Sequence, residues 1–121
     1  MKRDLDLMRE LLLKIESSSE SRMSLNSFIT DESQKPIIAF HIELLMDADF
    51  IIATKMQFIG QQQPDFLIQR LTNAGCDYLD AIRNDLIWNN TKEKILSIGG
   101  SATLEIIKAV AVAVAKTMLG I

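Results

Sequence analysis

The stretch Ile38-Ala39-Phe40-His41-Ile42-Glu43-Leu44-Leu45-Met46-Asp47-Ala48-Asp49-Phe50-Ile51 decides how this chain folds. Ile38, Ile42 and Leu45 recur at four- and three-residue spacing, flanked by Ile37, His41, Leu44 and Ala48, so this part is a helix buried over a wide arc. Pro36 is tolerated just upstream because it falls in the first turn, where backbone N–H groups lack intrahelical partners. Asp49 sits at the turn out of the helix, and aspartate enters a left-handed backbone conformation more readily than most side chains. Beyond it, Phe50 to Thr54 is rich in β-branched and aromatic residues and reads as a strand.

Working outward, Phe66 to Leu71 is a second strand, joined to the first through the polar loop tip Gly60-Gln61-Gln62-Gln63-Pro64-Asp65. A hairpin following a helix is a wing. The expected class is therefore α+β, a winged-helix-like domain with a two- or three-stranded antiparallel wing and extra C-terminal helices. Upstream, Asp4 caps a helix whose apolar positions are Leu5, Met8, Leu12 and Ile15, ending near Glu16 in the serine-rich stretch Ser17 to Ser21. Leu25 to Thr30 has a β-prone core, Phe28-Ile29-Thr30, broken by Asp31-Glu32-Ser33. Downstream, Thr72 caps a third helix through Ile82, with Leu71, Tyr78, Leu79 and Ile82 inward. Asn84 or Asp85 caps a fourth, carrying Ile87, Trp88 and Ile95 and stopping at Gly99-Gly100, and Ser101 caps the fifth. The expected organisation is a single domain over 1–121, with a winged-helix-like core at 1–83 and a helical extension at 84–121.

Composition narrows the setting. A chain of 121 residues, 48% of them hydrophobic, buries roughly two-thirds of its unfolded surface and folds without staples. Cys76 is the single cysteine and has no internal partner, which suits a reducing compartment, the cytoplasm. Arg9, Glu10 and Lys14 interrupt the apolar run that a signal peptide needs. The longest apolar run, Ala109 to Ala115, lies between Lys108 and Lys116, far short of the ~20 residues that span a bilayer. Net charge is −3, and no basic segment hides inside that total. Residues 1–32 hold five basic against seven acidic side chains, residues 33–71 three against four, and residues 72–121 five of each. Nucleic-acid binders draw affinity from cations that neutralise phosphates, so this distribution weighs against that class.

The stretch from Ile38 to Ile51 resembles the recognition helix of winged-helix regulators, which turns into the wing through an Ala-Gly-Leu-Ile-like sequence, with Asp49 here in place of glycine. A resemblance over nearly the whole chain is carried by Met1-Lys2-Arg3-Asp4-Leu5-Asp6-Leu7, Phe40-His41-Ile42-Glu43-Leu44-Leu45 and Arg70-Leu71-Thr72 through Gly75. Its most specific part is Asp77-Tyr78-Leu79-Asp80-Ala81-Ile82-Arg83-Asn84-Asp85, followed by Trp88-Asn89 and Gly99-Gly100-Ser101. These motifs resemble the domain of unknown function 2513 family of bacterial and phage proteins. The resemblance implies a winged-helix-like fold, a prophage or mobile-element setting and no established activity. Its motif residues Thr72, Gly75, Asp80, Arg83, Asp85 and Trp88 are expected to be structural. Where the family typically has Leu-Thr-Trp-Glu-Gly-His, this chain has Leu71-Thr72-Asn73-Ala74-Gly75-Cys76, so no role of that Trp, Glu and His carries over.

The chemistry-bearing residues support no catalytic, cofactor-binding or metal site. His41 and Cys76 together suggest a base and a nucleophile, but no third orienting group accompanies them, and a core histidine with a small apolar cysteine is the simpler reading. One His and one Cys fall short of a zinc set. Asp77, Asp80 and Asp85 invite a hard cation, yet Asp80 and Arg83 are i, i+3 neighbours and Asp85 falls at a cap position. Trp88 is read as a core residue where two helices meet, and Gly99-Gly100-Ser101 as a helix stop and start rather than an anion site.

Two function classes remain. In a DNA-binding regulator, helix two would enter the major groove, but its surface draws on Gln34, Lys35, Pro36, Ile37, Phe40 and Glu43, and Met56 to Asp65 contains no Lys or Arg. In a non-enzymatic protein-interaction module, Gln34, Lys35, Ile37, Phe40 and Glu43 form the partner surface, with Ile37 and Phe40 as its apolar part. The last helix carries two stripes. Leu104, Ile107, Ala111, Val114 and Met118 form one, and Ile106, Val110, Ala113 and Thr117 the other. The second is expected to make a homo-oligomer contact, the alternative being a groove between the first and fourth helices that buries both. Alanine-valine alternation at Ala109 to Ala115 also fits a strand, but the alanines and the helix-spaced lysines favour helix.

Overall fold

A computed structural model describes residues 1–121 as a mixed α+β protein with five helices and one two-stranded antiparallel sheet. In chain order these are α1 (Leu5–Ser17), α2 (Lys35–Asp47), β1 (Ile51–Met56), β2 (Asp65–Leu71), α3 (Asn73–Ile82), α4 (Asp85–Ser97) and α5 (Leu104–Leu119). The chain divides into two compact units, Met1–Cys76 and Asp77–Ile121.

In the first unit, Asp4 caps α1 by accepting the Leu7 N–H at 3.1 Å, and Met8, Leu11, Leu12 and Ile15 are buried on one face. Ile38, Ile42 and Leu45 of α2 are buried as the three- and four-residue spacing predicts. Each such side chain taken fully from water contributes roughly 1.5–3 kcal/mol. In the sheet, Ile51 pairs with Leu71 and Met56 with Asp65, and the register shifts between Ile52 and Ala53. That bulge resets the alternation of β2, so the buried residues run Phe66, Ile68 and then Leu71, while Arg70 is exposed.

The β-prone reading of Phe28-Ile29-Thr30 is corrected. Leu25–Ser27 is a single 3₁₀ turn, closed by Ser24 and Ser27, whose side chains each accept the other's backbone N–H. Serine hydroxyls offer the backbone a local alternative to a ladder, and here that alternative wins. A third strand survives only as a one-residue bridge, with Met23 and Ile68 exchanging two backbone hydrogen bonds of 2.8 Å.

The exit from α2 fixes where the hairpin starts. The Phe50 N–H donates to the Leu45 carbonyl at 2.9 Å and the Asp49 N–H to the Met46 carbonyl at 3.0 Å, a Schellman turn with Asp49 left-handed at φ 60°. Thr72 secures it. Its hydroxyl donates to the Asp49 carbonyl and accepts the Gly75 N–H at 3.0 Å, and its own N–H reaches the Phe50 carbonyl at 2.9 Å. A Cβ on Gly75 would overlap the Phe50 carbonyl oxygen and come within 2.9 Å of its carbon, so only glycine lets α3 begin this close to the turn.

In the second unit α4 and α5 lie against each other, burying Trp88, Thr91 and Ile95 from one and Ile107, Ala111 and Val114 from the other. Asn84, not Asp85, caps α4, accepting the Ile87 N–H at 3.0 Å, and Asp85 is the first residue of its opening turn. The expected cap of α5 at Ser101 is also corrected. Gly99 and Gly100 both take positive φ, and the chain runs on to Thr103, whose extended backbone presents its hydroxyl to the Ile106 N–H at 3.2 Å. The alanine-valine run is helical. No helix is long and apolar enough to cross a membrane.

Candidate functional site

Helix α2 and the Gln34 at its N-cap present the five residues expected to meet a partner, and their neighbours use most of their polar capacity. The Gln34 side-chain Oε1 accepts the Thr30 N–H at 2.8 Å and the Asp31 N–H at 3.3 Å, bracing the turn before α2. Lys35 pairs with Glu32 at 2.9 Å, and Glu43 pairs with Lys55 of β1 at 2.6 Å. Gln34 and Lys35 are thus less suited to base or phosphate contact than their side-chain types imply. Such exposed pairs add little to stability, but each cation comes with a carboxylate beside it. Ile37 is 39% exposed, and Phe40 is half-buried, edge-on to the His41 ring at 5.3 Å.

The hairpin loop adds residues that sequence reasoning missed. Phe58 is 51% exposed and Ile59 stands fully out at the hairpin loop. Their signal was the alternation of β1 continuing past Met56, where strand pairing stops. Between the start of α2 and this loop lies a polar cleft of about 500 Å³, walled by Glu32, Lys35, Gln61, Gln62 and Asp65 among others. Asp65 is already engaged, accepting the backbone N–H groups of Leu25 at 3.2 Å and Phe66 at 2.7 Å.

His41 is buried and both its ring nitrogens are used. The Asp4 backbone N–H can only donate, so Nε2, 2.8 Å away, accepts, and the ring hydrogen belongs on Nδ1, which donates to the Ile37 carbonyl at 2.8 Å. That clip ties the start of α1 to α2 and leaves the imidazole no free lone pair with which to deprotonate a thiol. Cys76 is half-buried in the first turn of α3. No group of three or more His, Cys, Asp or Glu residues able to hold a metal ion forms, Asp77, Asp80 and Asp85 included. Asp80 instead accepts from Arg83 Nη2 at 2.6 Å and Nε at 3.1 Å. Trp88 is 2% exposed, with Lys92 Nζ 5.7 Å from its ring centre. On α5, Ile106 is 46% exposed, Val110 half-buried, and Ala113 and Thr117 exposed.

These features define a small mixed α+β protein whose α2 surface combines apolar side chains with locally paired charges. The chain belongs to the DUF2513 family, described as hypothetical proteins, whose profile matches residues 2–101. It is also similar to an uncharacterised protein of Haemophilus influenzae, 37% identical over 121 residues, which cover 98% of this chain and 99% of that one. No solved structure matches it.

Proposed function

We propose that the protein is a non-enzymatic, cytoplasmic protein-interaction module that binds its partner through α2 and the hairpin of a winged-helix-like frame, in the prophage or mobile-element setting that the family resemblance implies. The observation that supports this best is the balance of groups on that surface. Ile37, Phe40, Phe58 and Ile59 offer apolar area, while Lys35 and Lys55 each stand beside a carboxylate. Protein partners reward desolvated aromatic and aliphatic anchors, whereas duplex DNA rewards unpaired cations. The competing reading, a DNA-binding regulator, draws on the same order of helix, Asp49 turn and hairpin and on the glutamines at 61–63.

Selection from a random-sequence duplex library at physiological salt separates the two. The interaction reading expects no enriched motif, and a defined motif bound at sub-micromolar affinity overturns it. A second arm uses the phenotype of the gene in its host. Ile37→Glu combined with Phe58→Ser should abolish it in a folded protein, and Cys76→Ala should not. A folded Cys76→Ala variant without the phenotype would restore the catalytic reading.

A further inference from the structure

The outward stripe of α5 has a symmetry of its own. Ile106, Val110, Ala113 and Thr117 follow four, three, four spacing, and the stripe reads the same from either end. Its one side-chain polar group is already engaged, because Thr117 donates its hydroxyl to the Ala113 carbonyl at 3.1 Å. Beside its C-terminal half lies an apolar cleft of about 400 Å³ between α4 and α5, with Asn90, Lys94, Ala113, Thr117 and Met118 in its walls. Charge is distributed unevenly along the helix that carries this face. Glu105 is in the first turn of α5, Lys116 in the last, and Lys94 on the cleft beside Thr117 and Met118.

We infer that a second copy of this chain docks on this face with its α5 antiparallel. The midpoint of the stripe falls between Ala111 and Val112, and a two-fold axis there sets Ile106 against Thr117 of the other copy and Val110 against its Ala113. Large then meets small in every layer, and the alanines let the helices approach closely. The same operation brings Glu105 of each copy to the end and flank that carry Lys116 of the other, so the acid-to-base match is made twice. A parallel pair would set Glu105 beside Glu105 and Lys116 beside Lys116, with the helix dipoles aligned. The occupant that matches both the stripe and its charges is therefore a second α5. This contact is separate from the α2 surface and does not depend on the function proposed for it.

Sedimentation equilibrium on the full chain, read with chemical cross-linking, tests the inference. A contact of one helix pair is small, so a reversible dimer with a Kd of about 10–100 µM is expected. Ala113→Glu and Thr117→Glu, both at exposed positions, should stay folded by circular dichroism and weaken dimerisation at least ~50-fold. In a Cys76→Ala background, mixing Ile106→Cys protein with Thr117→Cys protein should give a mixed disulfide in preference to either self-disulfide. A chain that stays monomeric to about 1 mM, folded charge variants that dimerise like the parent, or Ile106→Cys that cross-links chiefly to itself would each overturn the inference.

Discussion

After α2 the chain turns with Asp49 at φ 60°, and after α4 it turns with Gly99 at φ 114°, and in both turns the two closing hydrogen bonds reach back to the same relative carbonyls. At the first they run to Leu45 and Met46, at the second to Ile95 and Leu96. The residues at the crux differ because the support differs. Left-handed backbone costs an ordinary L-residue roughly 1–2 kcal/mol, somewhat less for aspartate, which can hydrogen-bond locally. Asp49 is held there by Thr72 on its carbonyl, by the Thr72 N–H on Phe50, and by α3 starting against the Phe50 carbonyl at Gly75. Gly99 has no such neighbour, since a Cβ there would meet nothing within 4 Å. One turn is a property of tertiary contact and the other of a single residue's conformational freedom.

The largest expected effect is at Gly75. An added methyl has no room against the Phe50 carbonyl, and neither of the two backbone segments can yield without opening the turn. Gly75→Ala should cost about 3 kcal/mol or more in urea unfolding. A loss under about 1 kcal/mol would mean that α3 is free to slide and that the Asp49 turn is not held from outside. Next comes Thr72→Val, which keeps the shape but removes both the donor to Asp49 and the acceptor for Gly75, with an expected cost of about 2 kcal/mol. Thr72→Ser, which retains both bonds, should recover most of it.

Much of this was legible because it is local. Asp4 before an apolar period, Asp49 between a helix and a β-branched run, and turn residues at Gly60 to Asp65 each carry their structural reason within a few positions. What was not legible depends on residues far apart or on where pairing stops. The link from His41 to the Asp4 N–H spans 37 positions, and nothing in either segment announces it. Phe58 and Ile59 look like a continuing strand until β2 is seen to begin at Asp65, which leaves them outward. Of the two stripes on α5 both were visible, and the one expected to face outward left Ile107, Ala111 and Val114 to pack, which is where contact with α4 buries them, although Met118 at the end of that stripe is 50% exposed. At the candidate surface, residue types indicated few cations. That Lys35 and Lys55 are paired with Glu32 and Glu43 needed the fold.

The turn between α4 and α5 offers a smaller contrast. Thr103 caps α5 and Ser101 does not, although both are hydroxyl residues close behind a glycine pair. Thr103→Ala should lower stability by about 1 kcal/mol and Ser101→Ala by less than about 0.5 kcal/mol. The reverse order in thermal unfolding would place the helix start two residues earlier, with Ser101 as its cap.

The smallest effect, and the one that discriminates most finely between the two turns, is Asp49→Gly. Two terms oppose each other. Glycine removes the left-handed penalty that aspartate bears at φ 60°, and it adds freedom to the unfolded chain that folding must then remove, worth about 0.4–1 kcal/mol. The Asp49 side chain is exposed, and the hydrogen bonds that Asp49 contributes to the turn use its backbone atoms, so the substitution leaves them in place. The conformational relief should slightly exceed the entropic cost, giving a net stabilisation of about 0.5 kcal/mol. Combined with Thr72→Val the gain should shrink, because a turn that has lost its outside support lets Asp49 relax out of the left-handed state and shed the penalty that glycine would relieve. Equal gains in the parent and in the Thr72→Val background, measured as a double-mutant cycle, would show that Thr72 does not hold Asp49 in its left-handed state.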